Sequence, residues 1–299
     1  MKIIFWNCGG TGNLGDDLCH HGAVAKCRQM FGEFESEKIF KLNDHTIEKV
    51  RNANLLVIGG GRIIGGGSDF LELLVRYDVK IPYLFMGIGI HAFSDIEPFK
   101  GKIHAQGWVV RNEKSAEMLE RCGFGPVKVE QDLSSLVEIP FHEKEGRVIG
   151  GLNLRADGKP HNFLDELKKL LPKDVTLVSF NTTCRHRAVI DGEIHEISDS
   201  DDTGMMAWLR NSQDVIGYRG GWHDPIAWSA QLGRFHWMVC ERFHACVLAH
   251  RLGIPFLAVN SNEKIERFMI ENKMKHRLVE HDPKAIARAV LIKGGLHYA

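Results

Sequence analysis

The sequence predicts an α/β protein with two Rossmann-like domains and a ligand cleft between them. Short apolar runs alternate with helix-like segments in the first half of the chain, a charged and irregular stretch follows near residue 140, and a second alternating series then begins. Strands separated by helices are typical of parallel sheets that are covered on both faces. Such sheets bind their ligands outside the carboxyl ends of the strands.

The first half contains six candidate strands, each a short apolar run. They are Lys2–Asn7, Lys38–Leu42, Asn54–Ile58, Tyr83–Ile88, Trp108–Arg111 and Val127–Glu130. The candidate helices between them are Asp16–Met30, Asp44–Asn52, Asp69–Tyr77 and Glu113–Cys122. The last of these stops before Gly123, and glycine commonly follows a helix end.

The charged stretch Pro140–Gly146 predicts a linker, which divides the chain into an N-terminal domain, residues 1–143, and a C-terminal domain, residues 144–299. Candidate strands of the second domain are Val148–Leu154, Val175–Phe180, Val215–Tyr218, Trp237–Cys240 and Pro255–Val259. Its candidate helices are Asn162–Leu171, Thr203–Asn211, Pro225–Leu232, Phe243–Leu252, Ile265–Asn272 and Pro283–Ile292. The polar stretch Asn181–Asp202 predicts a mobile loop.

The composition predicts a soluble protein that does not bind nucleic acid broadly. Lys plus Arg and Asp plus Glu number 38 each, so the formal net charge is zero, whereas nucleic-acid binders carry excess positive charge. Zero net charge also favours a homo-oligomer. The start of the chain lacks a signal-peptide pattern, and no run approaches the ~20 apolar residues of a membrane span. The seven scattered cysteines, without a CxxC pair, indicate reduced thiols in the cytoplasm rather than a zinc cluster or disulfides.

Three glycine-rich turns follow candidate strands of the first half. The first leads into a helix and contains Asn13, Gly15, Asp16 and Asp17; the second contains Gly60, Gly61 and Arg62; the third runs from Met86 to His91. Glycine lets a backbone turn tightly and approach a ligand closely. Asp16 or Asp17 can accept hydrogen bonds from sugar hydroxyls, although Asp16 can equally cap the helix. Together the three turns favour ligand binding.

The most informative motif lies between a buried strand and a buried helix of the second half. Glu241, Arg242 and His244 interrupt apolar sequence there, and charged groups at such a junction are costly unless they are paired or face a cleft. Arg242 and the helix N-terminus are suited to bind phosphate or carboxylate, while His244 can exchange protons near neutral pH. The alternative is that Arg242 pairs with Glu241 and His244 merely packs. Arg111 is a second candidate cation or an ordinary surface salt bridge.

In order along the chain, five motifs resemble the polysaccharide pyruvyl transferases. These are Gly12-Asn13-Leu14-Gly15-Asp16-Asp17, Val57-Ile58-Gly59-Gly60-Gly61, Val110-Arg111-Asn112-Glu113-Lys114-Ser115, Glu241-Arg242-Phe243-His244-Ala245 running into Leu248-Ala249 and Gly253-Ile254-Pro255, and Lys264 after the last long strand. The chain departs from the family pattern at Asn112, where the family has Asp, and at Phe243, where it has Leu. The departure at Asn112 removes a carboxylate.

The resemblance implies a GT-B-like fold and a transferase that moves a pyruvyl group from phosphoenolpyruvate to sugar or glycan hydroxyls, forming a ketal. It implies phosphoenolpyruvate between the domains, with the donor at the C-terminal domain. His244, Arg242 and Arg111 are the expected catalytic residues. The expected substrate-binding residues are Asn13, Gly15, Asp16, Asp17, Gly60, Gly61, Arg62, Glu241, Phe243 and Lys264. No metal or cofactor is expected. The alternatives are a GT-B glycosyltransferase that uses a nucleotide sugar, and a non-catalytic relative that binds an anionic metabolite.

Overall fold

A computed structural model describes residues 1–6, 12–60, 63–65, 70–140, 144, 148–154, 163–173, 175–182, 186–190, 193–197, 215–218, 223–259 and 262–292. The chain forms two compact units. The first comprises Met1–Thr11, Gly15–Glu138 and Arg187–Glu196, and the second comprises Gly12–Leu14, Ile139–His186 and Ile197–Ala299. Of the helices within these ranges, none has the length and apolar character to cross a membrane.

The first unit is built on a parallel sheet. Its strands are β1 (Lys2–Trp6), β2 (Glu35–Ile39), β3 (Leu55–Gly59), β4 (Ile63–Ile64), β5 (Tyr83–Ile90), β6 (Gly107–Val110) and β7 (Val127–Val129), and its helices are α1 (Leu14–Phe31), α2 (Ile47–Arg51), α3 (Phe70–Arg76) and α4 (Glu113–Arg121). The strand order is β2-β1-β3-β5-β6-β7, with β4 paired to β5. Side chains alternate between two cores: Ile4 and Trp6 pack in one, Ile3 and Phe5 in the other. The sheet is therefore covered on both faces.

The second unit contains another parallel sheet of order β12-β9-β8-β13-β14-β15. Its strands are β8 (Ile149–Asn153), β9 (Thr176–Asn181), β12 (Val215–Gly217), β13 (Trp237–Cys240), β14 (Phe256–Val259) and β15 (Leu278–Val279); β10 (His186–Ile190) and β11 (Glu193–Ile197) form a separate two-stranded sheet. The helices are α5 (Phe163–Leu170), α6 (Pro225–Ala230), α7 (Phe243–Arg251), α8 (Glu263–Glu271) and α9 (Pro283–Ile292). Residues of α5 and α9 share one apolar core with β8, β13 and β14.

These two parallel sheets confirm the predicted α/β fold class, but some elements differ from the prediction. The second strand is Glu35–Ile39 rather than Lys38–Leu42, because its charged sequence forms an exposed edge strand without an apolar run. The two-residue strands β4 and β15 were not predicted. The prediction of a loop over Asn181–Asp202 was wrong where β10 and β11 lie. The predicted helix Thr203–Asn211 and most of the predicted linker lie outside the described residues.

Candidate functional site

The carboxyl edge of the second sheet carries several polar side chains. Because all of its strands run parallel, their carboxyl ends meet at one edge, where Rossmann-like sheets bind ligands. Asn153 ends β8 and Asn181 ends β9, and both are almost fully buried. Glu241 follows β13 directly and is 2% exposed. The sequence-predicted junction therefore lies at this edge.

The junction itself is a short turn in which two residues, Glu241 and Arg242, separate the end of β13 from the start of α7. Arg242 is the N-cap of α7, with extended backbone angles of φ −105° and ψ 139°, and its side chain does not cap the helix. The backbone N–H of Glu241 donates to the Asn153 carbonyl at 2.8 Å, and the N–H of Arg242 donates to Asn153 Oδ1 at 3.1 Å. Phe243 and His244 form the first turn of α7. The β13 strand before them and residues 245–249 after them are buried.

Glu241 pairs with a histidine from the far end of the chain. Its Oε1 lies 3.3 Å from Nε2 of His281, which stands between β15 and α9. The Glu241 side chain is 3% exposed, so an ionised carboxylate there needs such a partner. The His281 ring also contacts Phe163, at 5.9 Å between centroids. The expectation that Glu241 binds substrate stays a prediction; the structure shows it holding His281.

Aromatic contacts and a neighbouring helix cap complete the surroundings of the junction. The Phe243 ring lies 5.1 Å from the His244 ring and 5.8 Å from that of Phe268, centroid to centroid. Phe243 thus contributes packing where the family has leucine. Lys264 lies in the first turn of α8, where Asn262 Oδ1 accepts its backbone N–H at 3.1 Å. Its side chain is exposed.

In the first unit, Arg111 pairs with a buried aspartate. Its Nη1 lies 3.5 Å from Asp132 Oδ2, with side chains 13% and 10% exposed. Asp132 Oδ1 also accepts hydrogen bonds from Ser134 N at 3.0 Å, Ser134 Oγ at 2.7 Å and Cys19 Sγ at 3.2 Å. Burial, together with the charge of Asp132, raises the pKa of the Cys19 thiol well above its usual range. Arg111 is therefore not the surface salt bridge that a lone arginine suggests.

Asn112, the departure next to Arg111, serves the backbone. It is the N-cap of α4, and its Oδ1 accepts the N–H of Ser115 at 2.9 Å. Asparagine and aspartate cap helices about equally well. The Ser115 hydroxyl in turn accepts the N–H of Ile90 at 3.0 Å. The substitution therefore keeps the local structure that the family's aspartate would supply.

Of the three predicted glycine-rich turns, the third was wrong, because Met86–Ile90 belongs to strand β5. The other two are only partly described. Gly60 has a φ of +81°, and its N–H donates to the Met86 carbonyl at 2.9 Å. Gly61 and Arg62 lie outside the described residues. Gly12, with a φ of +86°, precedes Asn13 and the start of α1. Asp16 and Asp17 lie in the first helical turn, where negative charge complements the helix dipole, and Asp17 is 7% exposed. Substrate binding by Asn13, Gly15 and the two aspartates stays a prediction.

The structure thus brings Glu241, Arg242, Phe243 and His244 together at one junction and adds three residues that the sequence did not reveal. Asn153, His281 and Asp132 each hold a predicted residue through a contact between distant parts of the chain. The one available signal for Asn153 was a polar residue at the end of the apolar run Val148–Leu154. For His281 and Asp132 the sequence offered none.

The fold is similar to that of several solved structures. S. aureus MnaA, determined with UDP, matches with a TM-score of 0.60 and 10% identity over 99% of this chain and 90% of that one. A putative UDP-N-acetylglucosamine 2-epimerase from Listeria monocytogenes has a TM-score of 0.59 and 12% identity, over 97% and 86% of the two chains. HepE from Anabaena, in complex with UDP-glucose, has a TM-score of 0.53 and 11% identity, over 99% and 91%. At these identities the similarity shows a common GT-B-like α/β fold.

Sequence comparison identifies the family. No match was found among curated proteins. The profile described as "Polysaccharide pyruvyl transferase" matches residues 13–263, well over half of the chain. The matched range runs from Asn13 through Arg111 to the junction at Arg242 and His244, so it contains the motifs on which the resemblance rests except for their outermost residues, Gly12 and Lys264. The chain belongs to the polysaccharide pyruvyl transferase family and is a transferase whose family acts on a sugar or glycan acceptor.

Proposed function

We propose that this protein transfers a pyruvyl group from phosphoenolpyruvate to hydroxyls of a sugar or glycan and forms a ketal, in the cytoplasm. The observation that carries the proposal is Arg242 at the N-cap of α7, two residues after the end of a buried strand and two before His244. Family membership supplies the reaction class, and this junction supplies a cation, a helix N-terminus and a proton carrier within four residues.

The donor is a small dianion or trianion, and the junction suits its charge. Anions are favoured at helix N-termini, and an arginine there adds a charge-assisted, bidentate contact. The described helices α4, α6 and α8 are capped by the side chains of Asn112, Asp224 and Asn262, whereas the Arg242 side chain does not cap α7. An incoming phosphate or carboxylate can therefore take the place of a cap.

His244 is the proposed proton donor. Protonation of the enol methylene carbon leaves positive character on the adjacent carbon, an acceptor hydroxyl attacks that carbon, and the C–O bond to phosphate breaks. The proton of this hydroxyl leaves to a base and replaces the one given to the methylene carbon. A second hydroxyl of the acceptor then attacks the same carbon and closes the ketal, and its proton is taken up by the released phosphate. His244 is suited to this exchange because histidine donates and accepts protons near neutral pH. Arg111 is proposed to neutralise donor charge, and Asp16, Asp17 and Glu241 to orient the acceptor.

The test measures phosphate release from phosphoenolpyruvate with a panel of glycan acceptors. We expect His244→Ala to lower kcat by about 10²–10⁴-fold, the usual contribution of general acid–base catalysis. Arg242→Ala should mainly raise KM for phosphoenolpyruvate, by about 10–100-fold for a lost charged hydrogen bond. His250→Ala, near the end of the same helix, and Arg288→Ala, exposed on α9, are matched controls. Unchanged turnover in both junction variants would refute the assignment.

A nucleotide-sugar glycosyltransferase is the second candidate, favoured by the fold that this chain shares with proteins solved with UDP or UDP-glucose. It predicts that UDP-sugars raise the melting temperature and phosphoenolpyruvate does not. A non-catalytic relative predicts stabilisation by phosphoenolpyruvate without product. Thermal shift and product analysis on the same sample separate the three.

A further inference from the structure

Asn153 links the carboxyl ends of three neighbouring strands through one buried side chain. It is 1% exposed and stands opposite Cys240 in the register of β8 and β13. Its Oδ1 accepts the N–H of Arg242 at 3.1 Å, and its Nδ2 donates to the carbonyl of Phe180 on β9 at 3.1 Å. Its own carbonyl accepts the N–H of Glu241 at 2.8 Å. The peptide N–H groups of Glu241 and Arg242 thus both bond to a single residue.

The strand that carries Asn153 is fixed along its length. At its start, His236 exchanges two hydrogen bonds with Ile149, through Nδ1 at 3.1 Å and through the backbone N–H at 2.8 Å. In its middle, a Cβ on Gly150 would overlap the ring of Trp237, and a Cβ on Gly151 would lie 2.6 Å from the ring of Phe235. The two glycines therefore let aromatic rings lie directly on the strand. Such packing leaves Asn153 little freedom to shift relative to β13.

We propose that Asn153 is a positioning residue for the transfer reaction: it sets the backbone at Glu241 and Arg242, and through it the direction in which α7 presents His244. The reaction named here rests on the proposed function, whereas the positioning itself does not. The hydrogen bond to the Arg242 N–H fixes the turn that precedes the helix, so a change at Asn153 rotates the first turn of α7. Displacements of about 1 Å at a reacting group can lower a rate by about 10²-fold.

A purely structural role is the competing explanation, and the same sheet offers a matched control. Ser179 on β9 is 2% exposed and in register with Leu152, the residue before Asn153. Its hydroxyl has no hydrogen-bond partner among the described residues. Ser179→Ala thus removes a buried polar atom one register position away without touching the junction. Asn153→Ala removes both side-chain hydrogen bonds, and Asn153→Ser is a milder change in case the alanine variant does not fold.

The experiment combines kinetics with a signal from the junction itself. kcat and KM for phosphoenolpyruvate are measured for wild type, both Asn153 variants and Ser179→Ala, after correction for the folded fraction. In parallel, the His244 ring resonance is recorded by ¹H–¹³C NMR and assigned with His244→Gln. We expect the Asn153 variants to lose about 10–100-fold in kcat and to shift the His244 resonance, and Ser179→Ala to do neither.

Each outcome decides the proposal. If the Asn153 variants match Ser179→Ala in kcat and leave the His244 resonance in place, the proposal is wrong. The same holds if their kcat loss disappears once the folded fraction is counted and the resonance has not moved. If wild type does not consume phosphoenolpyruvate, the proposed function fails, and the His244 resonance alone then tests the positioning: a shift confined to the Asn153 variants upholds it, and no shift overturns it.

Discussion

Asp132 holds Arg111 in the first unit, and replacing it tests how much that ion pair contributes. The carboxylate accepts two hydrogen bonds from Ser134 and one from Cys19, and it lies 3.5 Å from the Arg111 guanidinium. Both charged side chains are about nine-tenths buried, at 13% and 10% exposure. In Asp132→Ala the guanidinium stays in this site without its carboxylate, and three donors lose their acceptor.

The expected loss of stability in Asp132→Ala follows from the burial of the ion pair between Arg111 and Asp132. Removing one partner of a buried ion pair costs about 3–5 kcal/mol, because the remaining charge is left uncompensated. The lost hydrogen bonds belong to the same network, so their energies do not simply add to this figure. Asp132→Asn keeps the shape and one acceptor oxygen, and it should cost about 1–3 kcal/mol. Arg111→Met should cost less than Asp132→Ala, because Ser134 and Cys19 still satisfy the carboxylate.

Urea unfolding measures these differences, with hydrogen exchange at the Ser134 amide as a local probe. Asp78→Asn is the matched control, since Asp78 forms an ion pair with Lys80 in which both side chains are over 70% exposed. Exposed pairs of this kind contribute little, so the control should unfold with wild type. The reasoning is refuted if Asp132→Asn unfolds at the same urea concentration as Asp78→Asn.

Three further predictions follow from single residues. Burial lowers the pKa of His20 to about 3, so as the pH falls below 6.5 the unfolded chain takes up a proton on this ring that the folded protein does not, and the free energy of unfolding decreases down to about pH 3. His20→Gln should therefore remove about 2–3 kcal/mol of the stability that is lost between neutral pH and pH 4.5. His45→Gln, at an exposed histidine, should leave that loss unchanged. Burial raises the pKa of the Cys27 thiol to about 12, so iodoacetamide at pH 8 should leave Cys27 unmodified in the folded protein and label it in urea. Asn112→Asp should leave stability within about 0.5 kcal/mol, because either side chain caps α4, and a rise in turnover would show that the family's carboxylate acts in the reaction.

The sequence was sufficient to predict the strands and helices in which several consecutive residues are buried. β13 and α7 were predicted because each is an apolar run, and the structure buries both. It was insufficient at the edges of the sheets. β2 has the sequence Glu-Ser-Glu-Lys-Ile, in which exposed charged residues replace the apolar pattern that predicts a strand. β15 has only two residues, too few to form a recognisable pattern. For β10 and β11 a signal existed: Asp191-Gly192 between two β-rich runs is typical of a hairpin turn.

The junction was predictable from local sequence, whereas the residues that bond to it, Asn153 and His281, were not. Charged residues between a buried strand and a buried helix stand out within a few positions of sequence. Asn153 lies 89 residues from Arg242, and their contact depends on β8 being the neighbour of β13 in the sheet. His281 reaches Glu241 because the chain after β15 returns to the same edge. Strand order is a tertiary property, and no local pattern of the sequence encodes it.

Arg242 at the N-cap of α7 is a poor capping residue for stability but a suitable one for anion binding. Comparing Arg242→Asn with Arg242→Ala separates the two effects. Asn, Asp and Ser accept hydrogen bonds from first-turn N–H groups, which arginine cannot, and such a cap stabilises by about 1 kcal/mol relative to alanine. Arg242→Asn should therefore be about 1 kcal/mol more stable in urea than Arg242→Ala, since both lose the guanidinium and only one gains a cap. If the N–H groups of α7 bind the donor anion, the new cap competes with it.

The two variants should then differ in the opposite sense in donor binding: KM for phosphoenolpyruvate should be higher in Arg242→Asn than in Arg242→Ala, although asparagine is the more polar residue. Asp224→Ala is the control, because it removes a cap at α6 and should lower stability without a selective effect on KM. Equal KM values in the two Arg242 variants, with the expected difference in stability, would show that the helix N-terminus does not contact the donor. Arg242 would then bind the anion through its side chain alone, and the absence of a side-chain cap on α7 would need another explanation.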